Sequence, residues 1–251
     1  GGLMQSVTEN GFTFDLSGGH ILFSKNKKVM DFMLSVLGDN TCRRTRNTKI
    51  SYNGQLIKYP FENGLSDLSK EENFECVYDF IKARTQDYFH ASDFAEYLRR
   101  TYGNAISEKY LIPYNEKIWK YPLNKMSADW CEERMPQPTI DSVLKASLGI
   151  QSEGYLHQLH FYYPRVGGIE AFIQALAKDK NILCNQEITF IEKKDNHNTW
   201  SVGTDEKLYL FDDIVSTMPL PVLISCLDDV PAKVKKAVSQ LKYNSLITVM
   251  I

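Results

Sequence analysis

Three segments in the first quarter of the chain alternate apolar and polar residues, a pattern typical of half-buried β-strands. They cover residues 11–16, 43–52 and 55–61. The last two are separated by Asn53-Gly54, a dipeptide that favours a tight type I′ turn, so they predict a β-hairpin. Because proline lacks the N–H that a sheet needs, Pro60 is expected at a sheet edge or a strand end.

Helical periodicity follows in the first 150 residues. Residues 25–37 place apolar side chains three and four positions apart and stop at Gly38. A second helix is predicted at 71–85, with Phe74, Val77, Ile81 and Arg84 on one side. A third is predicted at 92–102, where Ser92-Asp93 forms the cap and Gly103-Asn104 the stop. A fourth is predicted at 139–148, capped by Thr139 or Asp141 and stopped at Gly149. The prolines at positions 113, 122, 136 and 138 interrupt the sequence between the third and fourth helices, so short helices and loops are predicted there. Residues 66–150 are therefore predicted to form a helical subdomain.

After Gly154 the pattern becomes mixed. Residues 157–163 alternate as a strand and lead into a helix at 169–177. Three further strands joined by turns predict a β-meander, at 187–194, 199–202 and 207–210. The last predicted elements are a strand at 213–217, helices at 219–226 and 231–241, and a strand from 243 to 251. The whole pattern predicts a mixed α/β (α+β) fold.

Composition narrows the class of protein. The chain has 251 residues, 43% of them hydrophobic, and a net charge of −2 without a basic block, so a nucleic-acid surface is not expected. No apolar run is long enough to predict a membrane span or signal peptide. The five cysteines are scattered and odd in number, which predicts reduced thiols in a cytoplasmic protein and no zinc site. The start without methionine and the apolar last residues predict a piece of a longer protein.

Common catalytic motifs are missing from the sequence. It has no Gly-x-Gly-x-x-Gly and no Gly-x-x-x-x-Gly-Lys-Ser/Thr, so it lacks the usual glycine-rich phosphate cradle. Gly-x-Ser-x-Gly, the hydrolase signature, is also absent. His157 and His160 have a spacing that could suit a metal on a helix, but they fall at a predicted strand without a third ligand nearby. We therefore predict no metal site.

Two stretches carry candidate binding chemistry. Residues 113–134 hold two of the three tryptophans, two tyrosines, Asn115 and Arg134, a mixture that suits a groove for a flat ring and a diphosphate. The alternative is that these aromatic residues only pack their own core. Gly18-Gly19 allows a close approach of the backbone to a ligand, and His20 follows directly. A simple turn with an incidental histidine is the alternative there.

Several short motifs occur in a fixed order along the chain: Gly18-Gly19-His20, Ile50-Ser51-Tyr52, Tyr59-Pro60-Phe61, Pro113-Tyr114-Asn115-x-Lys117-Ile118-Trp119, Glu133-Arg134, Tyr163-Pro164-x-x-Gly167-Gly168 and Val215-Ser216-Thr217-Met218. This order resembles UDP-galactopyranose mutase, with the longer, eukaryotic-like branch most similar. That family lies within the FAD-dependent group that includes protoporphyrinogen oxidase and the amine oxidases. Of these motifs, the one that ends at Trp119, together with Glu133-Arg134, is the most specific to the mutase.

The resemblance implies a partial FAD-binding Rossmann-like domain with a β-meander, a helical substrate subdomain and an antiparallel sheet over the flavin. Its boundaries would be 1–24 for a remnant of the FAD domain, 25–65 for a helix and hairpin of the sheet domain, 66–150 for the substrate domain, 155–168 for a sheet-domain strand, 169–242 for the helix, meander and strand of the FAD domain, and 243–251 for the start of another sheet-domain strand.

The implied activity belongs to the parent protein. It is the interconversion of UDP-galactopyranose and UDP-galactofuranose through an adduct with reduced FAD, for surface polysaccharide or lipopolysaccharide synthesis. A UDP-sugar is the expected partner, without nucleic acid or membrane. One alternative is an oxidoreductase of the amine-oxidase or protoporphyrinogen-oxidase type. Another is that this chain alone is catalytically inert and does not retain FAD, because the pyrophosphate cradle is missing.

The same resemblance implies roles for single residues. Gly18, Gly19 and His20 would lie against the isoalloxazine, Ile188 would offer backbone bonds to adenine, Tyr59, Phe61, Asn115 and Trp119 would surround the uridine, and Arg134 would lie near the diphosphate or the sugar. His20 and Arg134 are the expected catalytic residues. Two positions depart from the pattern: Glu62 stands where related enzymes have an amide, and Lys49 where an arginine is often found.

Overall fold

A computed structural model describes residues 2–86, 90–135, 137–150, 160–194, 199–247 and 249. The chain divides into two compact units. The first runs from the N-terminus to Leu176, and the second from Ala177 to Leu246. None of the helices in the described ranges has the length and apolar character needed to cross a bilayer.

Short strands and helices alternate along the chain. Strands β1–β9 are Ser6–Glu9, Phe12–Asp15, Thr41–Thr45, Lys49–Tyr52, Gln55–Lys58, His160–Pro164, Phe190–Lys194, Thr199–Gly203 and Leu208–Phe211. Helices α1–α9 are Lys27–Leu37, Lys70–Arg84, Phe94–Ile106, Ile112–Trp119, Cys131–Arg134, Ile140–Ser147, Glu170–Ala177, Leu220–Cys226 and Ala232–Ser239. A π-helical turn, Ser107–Leu111, joins α3 to α4.

The described strands pair only in small antiparallel sheets. In the first unit β1 pairs with β2, β3 with β6, and β4 with β5. In the second unit β7, β8 and β9 form the predicted meander. The predicted mixed α/β fold is therefore confirmed, with most of the helices in the first unit.

Asn-Gly turns close two hairpins. The predicted turn at Asn53-Gly54 is confirmed, since both residues have the positive φ that a type I′ turn requires, 47° and 77°. Asn10-Gly11 does the same between β1 and β2, with φ of 51° and 84°. Asn10-Gly11 is visible in the sequence as well, but the sequence analysis predicts only the strand that follows this turn, not β1 before it.

Long-range pairing overturns one predicted strand. Residues 43–52 do not form one arm of a hairpin, because their first part belongs to β3 and pairs with β6, Thr41 opposite Pro164 and Thr45 opposite His160. Only Lys49–Tyr52 pairs with the second hairpin arm. A partner more than a hundred residues away leaves no mark in the local alternation of side chains.

Two other predicted strands are wrong in the described part of the chain. Residues 213–217 and the described residues from 243 onward carry no strand assignment. Tyr243 is 89% exposed, so the end of the chain does not have the packing that a strand needs. The apolar composition there predicted a strand, but a strand also needs a partner.

Helix α2 begins and ends one residue before its predicted bounds, and its most buried residues are not on the predicted face. Phe74 is 70% exposed, whereas Cys76 and Phe80 are fully buried. The buried face is the one that packs against α3, its main neighbour. Of the predicted face, Val77 and Ile81 are partly buried against the same core as Phe80, whereas Phe74 is exposed.

The predicted stop at Gly103 is a kink. Gly103 has φ 79° and ψ 163°, yet α3 continues to Ile106 and into the π-helical turn. A Cβ at Gly103 would lie 2.6 Å from the carbonyl carbon of Asp79, so only glycine lets α3 approach α2 so closely. The Asp79 carboxylate also accepts a hydrogen bond from Ala105 N, 3.0 Å, just after the kink.

In the described residues, apolar clusters form the core of each unit, two in the first unit and one in the second. The largest lies among β4, β5 and the helices α2, α3 and α6, and contains the fully buried Phe61, Phe80 and Phe94. A smaller one in the first unit joins α1, β6 and α7. In the second unit, the meander packs on α8 through Ile191, Val202 and Cys226. The largest cluster fixes the segments that carry the site.

Candidate functional site

A cleft of about 310 Å³ opens beside the largest core cluster. Its lining comes from three segments, within residues 59–62, 110–119 and 130–135, together with Tyr102. Such a volume is in the range of small-molecule sites. All the side chains that the sequence analysis assigned to substrate lie on this lining: Tyr59, Phe61, Asn115, Trp119 and Arg134.

An aromatic ladder forms one side of the cleft. Phe61 stacks on Tyr110 with ring centroids 4.8 Å apart and planes 7° apart. Tyr110 stacks in turn on Tyr114, at 5.0 Å and 21°. Because Tyr110 and Tyr114 are four residues apart on continuous helical backbone, they share one face and can stack. Phe61 and Tyr110 are buried within this stack, whereas Tyr114 is 41% exposed, so Tyr114 is the ring of the ladder that offers a flat surface to a ligand.

Two tryptophans meet in the same cleft. Trp119 and Trp130 are in edge contact, with centroids 5.9 Å apart and planes at 61°. Phe94, fully buried, holds Trp130 from the core side at 4.9 Å. Trp119 remains 40% exposed. Trp130 is therefore a packing residue that also lines the cleft, and Trp119 has free surface for a ligand.

The polar groups of the cleft are few. Asn115 Nδ2 donates to the carbonyl of Leu111 at 2.7 Å, which fixes the amide one turn back along the helix. Arg134 is exposed and forms no ion pair with the described residues. A guanidinium with free N–H groups can bind two oxygens of an anion at once.

Two phenols of the cleft, those of Tyr59 and Tyr110, stay protonated at neutral pH. Burial raises the pKa of Tyr59, with Tyr114 and Glu62 adding to it, although the Arg46 guanidinium 5.9 Å above the ring opposes them. Burial also raises the pKa of Tyr110, and neighbouring Tyr114, Tyr59 and Glu62 contribute. Both hydroxyls can therefore donate hydrogen bonds to a ligand.

The turn Gly18-Gly19-His20 is anchored on both sides. Before it, Gly18 N donates to the Asp15 carbonyl at 3.2 Å, and Gly18 has φ 88°. After it, Leu22 and Tyr162 exchange two backbone hydrogen bonds, of 2.8 and 3.0 Å. The segment that includes His20 is thus held against β6.

Asp15 connects this turn to the Tyr-Pro-x-x-Gly-Gly motif. Its carboxylate accepts hydrogen bonds from Ser6 Oγ at 2.8 Å, Tyr163 Oη at 2.8 Å and Ile169 N at 3.1 Å. His20 N lies 3.5 Å from the same group. Burial works to raise the pKa of Asp15, but these hydrogen bonds outweigh it and the pKa is lowered. Asp15 therefore stays ionised and holds four segments together.

This turn has room for a flat ring. A Cβ built on Gly19 would have no heavy atom within 4 Å among the described residues, so the backbone is open. The Nδ1 atom of His20 is buried and makes no hydrogen bond with the described part of the chain. A buried polar atom beside open glycine backbone fits the polar edge of a flavin ring. The residues present are compatible with that cofactor.

Several predicted or noted residues lie elsewhere. Ile188 is in the second unit, where its carbonyl accepts from Cys226 Sγ at 3.2 Å. Lys49 is exposed and does not line the cleft. His160 contacts Thr45 Oγ1 at 3.2 Å, and His157 lies outside the described residues. Within the described ranges no three His, Cys, Asp or Glu side chains are grouped to hold a metal ion.

Sequence reasoning missed part of the lining. Tyr102, Tyr110, Tyr114 and Ile118 line the cleft, although none of them is among the predicted substrate contacts. The spacing of four between residues 110, 114 and 118 was the available signal, because it places all three on one helical face. Tyr102 lies before the kink and carried no such signal.

Comparison with known proteins supports the fold. The family model described as flavin containing amine oxidoreductase matches residues 1–251. Among solved structures, a reduced UDP-galactopyranose mutase has a TM-score of 0.80 and 23% identity over 97% of this chain and 54% of that chain. A protein assigned as a protoporphyrinogen oxidase from Exiguobacterium sp. 255-15 has a TM-score of 0.62 and 20% identity, over 94% of this chain and 55% of that chain.

A third similar structure is a fatty acid isomerase from P. acnes that produces CLA, with a TM-score of 0.54 and 14% identity, over 96% of this chain and 55% of that chain. All three identities are below 25%, so the likeness is one of fold. The chain spans about half the length of each of these proteins. Because the family model matches along the whole sequence, the chain belongs to the flavin-containing amine oxidoreductase family.

Proposed function

We propose that the parent protein is a flavin-dependent UDP-galactopyranose mutase, which interconverts UDP-galactopyranose and UDP-galactofuranose for surface polysaccharide or lipopolysaccharide synthesis. One observation carries the proposal. Tyr59, Phe61, Asn115, Trp119 and Arg134, which come from three separate segments of the chain, line one aromatic cleft. The TM-score of 0.80 to a UDP-galactopyranose mutase supports it at the level of fold.

Each part of the cleft has a role in this proposal. Trp119 and Tyr114, the exposed end of the aromatic ladder, stack against the uracil ring. Asn115, its Nδ2 held by Leu111, turns its oxygen to the nucleoside as an acceptor. Arg134 binds the diphosphate with its free N–H groups. Together they would hold the UDP part and leave the sugar free to react.

The cofactor of the proposal is FAD in its reduced form. Gly18 and Gly19 would lie along the ring, and the Nδ1 of His20 would hydrogen-bond its edge. When bound, reduced FAD supplies the electron pair for reaction at the anomeric carbon. The protein's residues orient the sugar, exclude water and stabilise the diphosphate as it separates.

The test uses the full-length protein with its flavin reduced under anaerobic conditions. UDP-galactofuranose should be converted to UDP-galactopyranose over many turnovers, without net oxidation of the flavin or consumption of an acceptor. A flavoprotein that binds no UDP and converts neither sugar nucleotide would overturn the proposal.

An amine-oxidase type of oxidoreductase is the second candidate, and the family match itself favours it. Such an enzyme takes a hydride from its substrate and must pass the electrons to an acceptor. Stoichiometric reduction of oxidised flavin by an amine, with no isomerisation of UDP-galactose, would select this reading over the mutase.

A further inference from the structure

Helix α2 carries a stacked pair of aromatic side chains on its outer face. The rings of Phe74 and Tyr78 have centroids 6.0 Å apart and planes 20° apart. Phe74 is 70% exposed and Tyr78 is 57% exposed, although the opposite face of the same helix is buried in the largest core cluster. Neither ring lines the cleft. Exposed aromatic residues that are grouped on a well-packed element are typical of protein–protein contacts, so this face of α2 is a candidate interaction surface.

Opposite charges lie at the two ends of this aromatic pair. Glu71 is about one turn before Phe74, and Lys82 is about one turn after Tyr78. Because these four residues are three or four positions apart, they share one side of the helix. Glu71 and Lys82 are exposed, and neither forms an ion pair with the described residues. The outer face of α2 is therefore acidic, aromatic and basic in that order along the chain.

This order is self-complementary when two copies of α2 lie antiparallel. The aromatic pair and the charged pair are both centred within one residue of Cys76. A twofold axis near that position therefore brings Phe74 of each copy against Tyr78 of the other, and Glu71 of each copy against Lys82 of the other. A parallel arrangement would instead place Glu71 beside Glu71 and Lys82 beside Lys82, which is unfavourable. The face thus carries its own complement.

We propose that the outer face of α2 is the contact between two copies of this chain, which pair antiparallel about a twofold axis. The aromatic pair forms the centre of the contact, and a Glu71–Lys82 ion pair closes each end. Glu75 is on the same side of α2, but it already pairs with Lys109 at 3.0 Å within the chain and has no part in the contact. The inference goes beyond the proposed function and does not depend on the ligand of the cleft.

The experiment measures the dimer dissociation constant of the purified chain by sedimentation velocity over a range of concentrations at low salt. One variant, Phe74→Ser with Tyr78→Ser, removes the aromatic centre. Three others test the register of the two helices: Glu71→Lys, Lys82→Glu, and both reversals together. Phe32→Ser is the matched control, because Phe32 is 57% exposed on α1, away from this face. Thermal unfolding of each variant shows whether it is folded.

Wild type should be dimeric at micromolar concentration. Loss of both aromatic rings should raise the dissociation constant by about a hundredfold or more, because aromatic residues at the centre of a contact contribute most of its affinity. Each single charge reversal should raise it about tenfold, since both end contacts become contacts between like charges. The two reversals together restore opposite charges at both ends, so affinity should return to within about threefold of wild type. Phe32→Ser should stay within about twofold.

Three results would overturn the inference. The first is a wild-type chain that stays monomeric at every concentration, whether other residues of the parent protein or a different protein then cover the face. The second is a dimer that keeps its affinity without Phe74 and Tyr78. The third is a double charge reversal that dimerises no better than the single reversals, because the antiparallel register is part of the proposal. If the variant without the two rings does not fold, the charge reversals alone decide. The mutase proposal is tested separately, by turnover.

Discussion

At the residue scale, Asp15 connects several elements of the first unit. Its buried carboxylate accepts hydrogen bonds from the hydroxyls of Ser6 and Tyr163 and from the backbone N–H of Ile169, and so joins β2, β6 and the start of α7. Hydrogen bonds to a charged acceptor contribute more than neutral ones. The glycine turn that would face the flavin is therefore supported by a network rather than by loop residues alone.

The lowered pKa of Asp15 predicts a pH dependence of stability. Since the pKa is lower in the folded state than its ordinary value of 3.8, ionised Asp15 stabilises the fold above that value. The stabilisation is lost as the pH falls through the lowered folded pKa. Urea unfolding of wild type and Asp15→Asn should show a free-energy difference that shrinks between about pH 5 and pH 2.

Asp39→Asn is the control for this prediction, because Asp39 is exposed and its pH profile should follow wild type. A difference between wild type and Asp15→Asn that stays constant over the same pH range would contradict the prediction.

Gly168 and Gly19 offer a matched pair of alanine substitutions, one in a crowded position and one in an open position. A Cβ on Gly168 would lie 2.3 Å from Ser6 Oγ and 2.9 Å from Asp15 Oδ1, and Gly168 has φ 63°. Gly168→Ala should therefore lower the free energy of unfolding by about 3 kcal/mol. Gly19→Ala meets nothing within 4 Å in the described structure and should leave stability within about 0.5 kcal/mol. Equal losses in the two variants, measured by urea unfolding, would refute this account of the motif.

At the element scale, the kink in α3 decides where the aromatic ladder lies. Gly103 redirects the chain, Asp79 receives the N–H of Ala105 after the kink, and the π-helical turn then carries Tyr110. Without these two irregularities, Tyr110 and Tyr114 would follow a straight continuation of α3. The helices that line the cleft thus depend on a contact made outside it.

Gly103→Ala should therefore affect both stability and the cleft. The added Cβ would lie 2.6 Å from the Asp79 carbonyl carbon, so α3 must move away from α2. We expect a loss of about 3 kcal/mol in the free energy of unfolding and a shift in the tryptophan emission, because Trp119 and Trp130 follow α3. Asn104→Ala is the control, since Asn104 is exposed. Unchanged stability of Gly103→Ala in urea would show that the close approach is not required.

At the scale of the whole molecule, the cleft and the His20 turn both belong to the first unit. The chain covers about half of the similar mutase structure. The complete cofactor site is therefore a property to test on the parent protein.

A prediction for the 251-residue chain follows from its sequence. It contains no Gly-x-Gly-x-x-Gly, the motif whose backbone N–H groups and helix N-terminus bind a dinucleotide pyrophosphate. The purified chain should therefore carry far less than one FAD per molecule, as measured from the flavin absorbance. Stoichiometric FAD that survives gel filtration would contradict this prediction, and the full-length parent provides the positive control.

Local signals were enough to predict much of the fold and of the candidate site. Asn53-Gly54 specified its hairpin, and Asp93 and Thr139 cap α3 and α6 through the N–H groups of Glu96 and Ser142. These features depend on residues a few positions apart. The short motifs, read in order, picked out the side chains of the cleft for the same reason: their residue types are visible without the fold.

Tertiary structure decided the rest, because packing partners lie far away in sequence. Nothing local shows that β3 pairs with β6, or that Gly103 meets Asp79. The alternation around residues 43–52 could not show that its two parts have different partners. Glu62 reads as one more carboxylate until folding buries it beside the aromatic ladder. The sequence by itself determined most of the helices, the hairpin turn and the residue types that could bind, whereas long-range packing determined which strands form and which residues meet in one cleft.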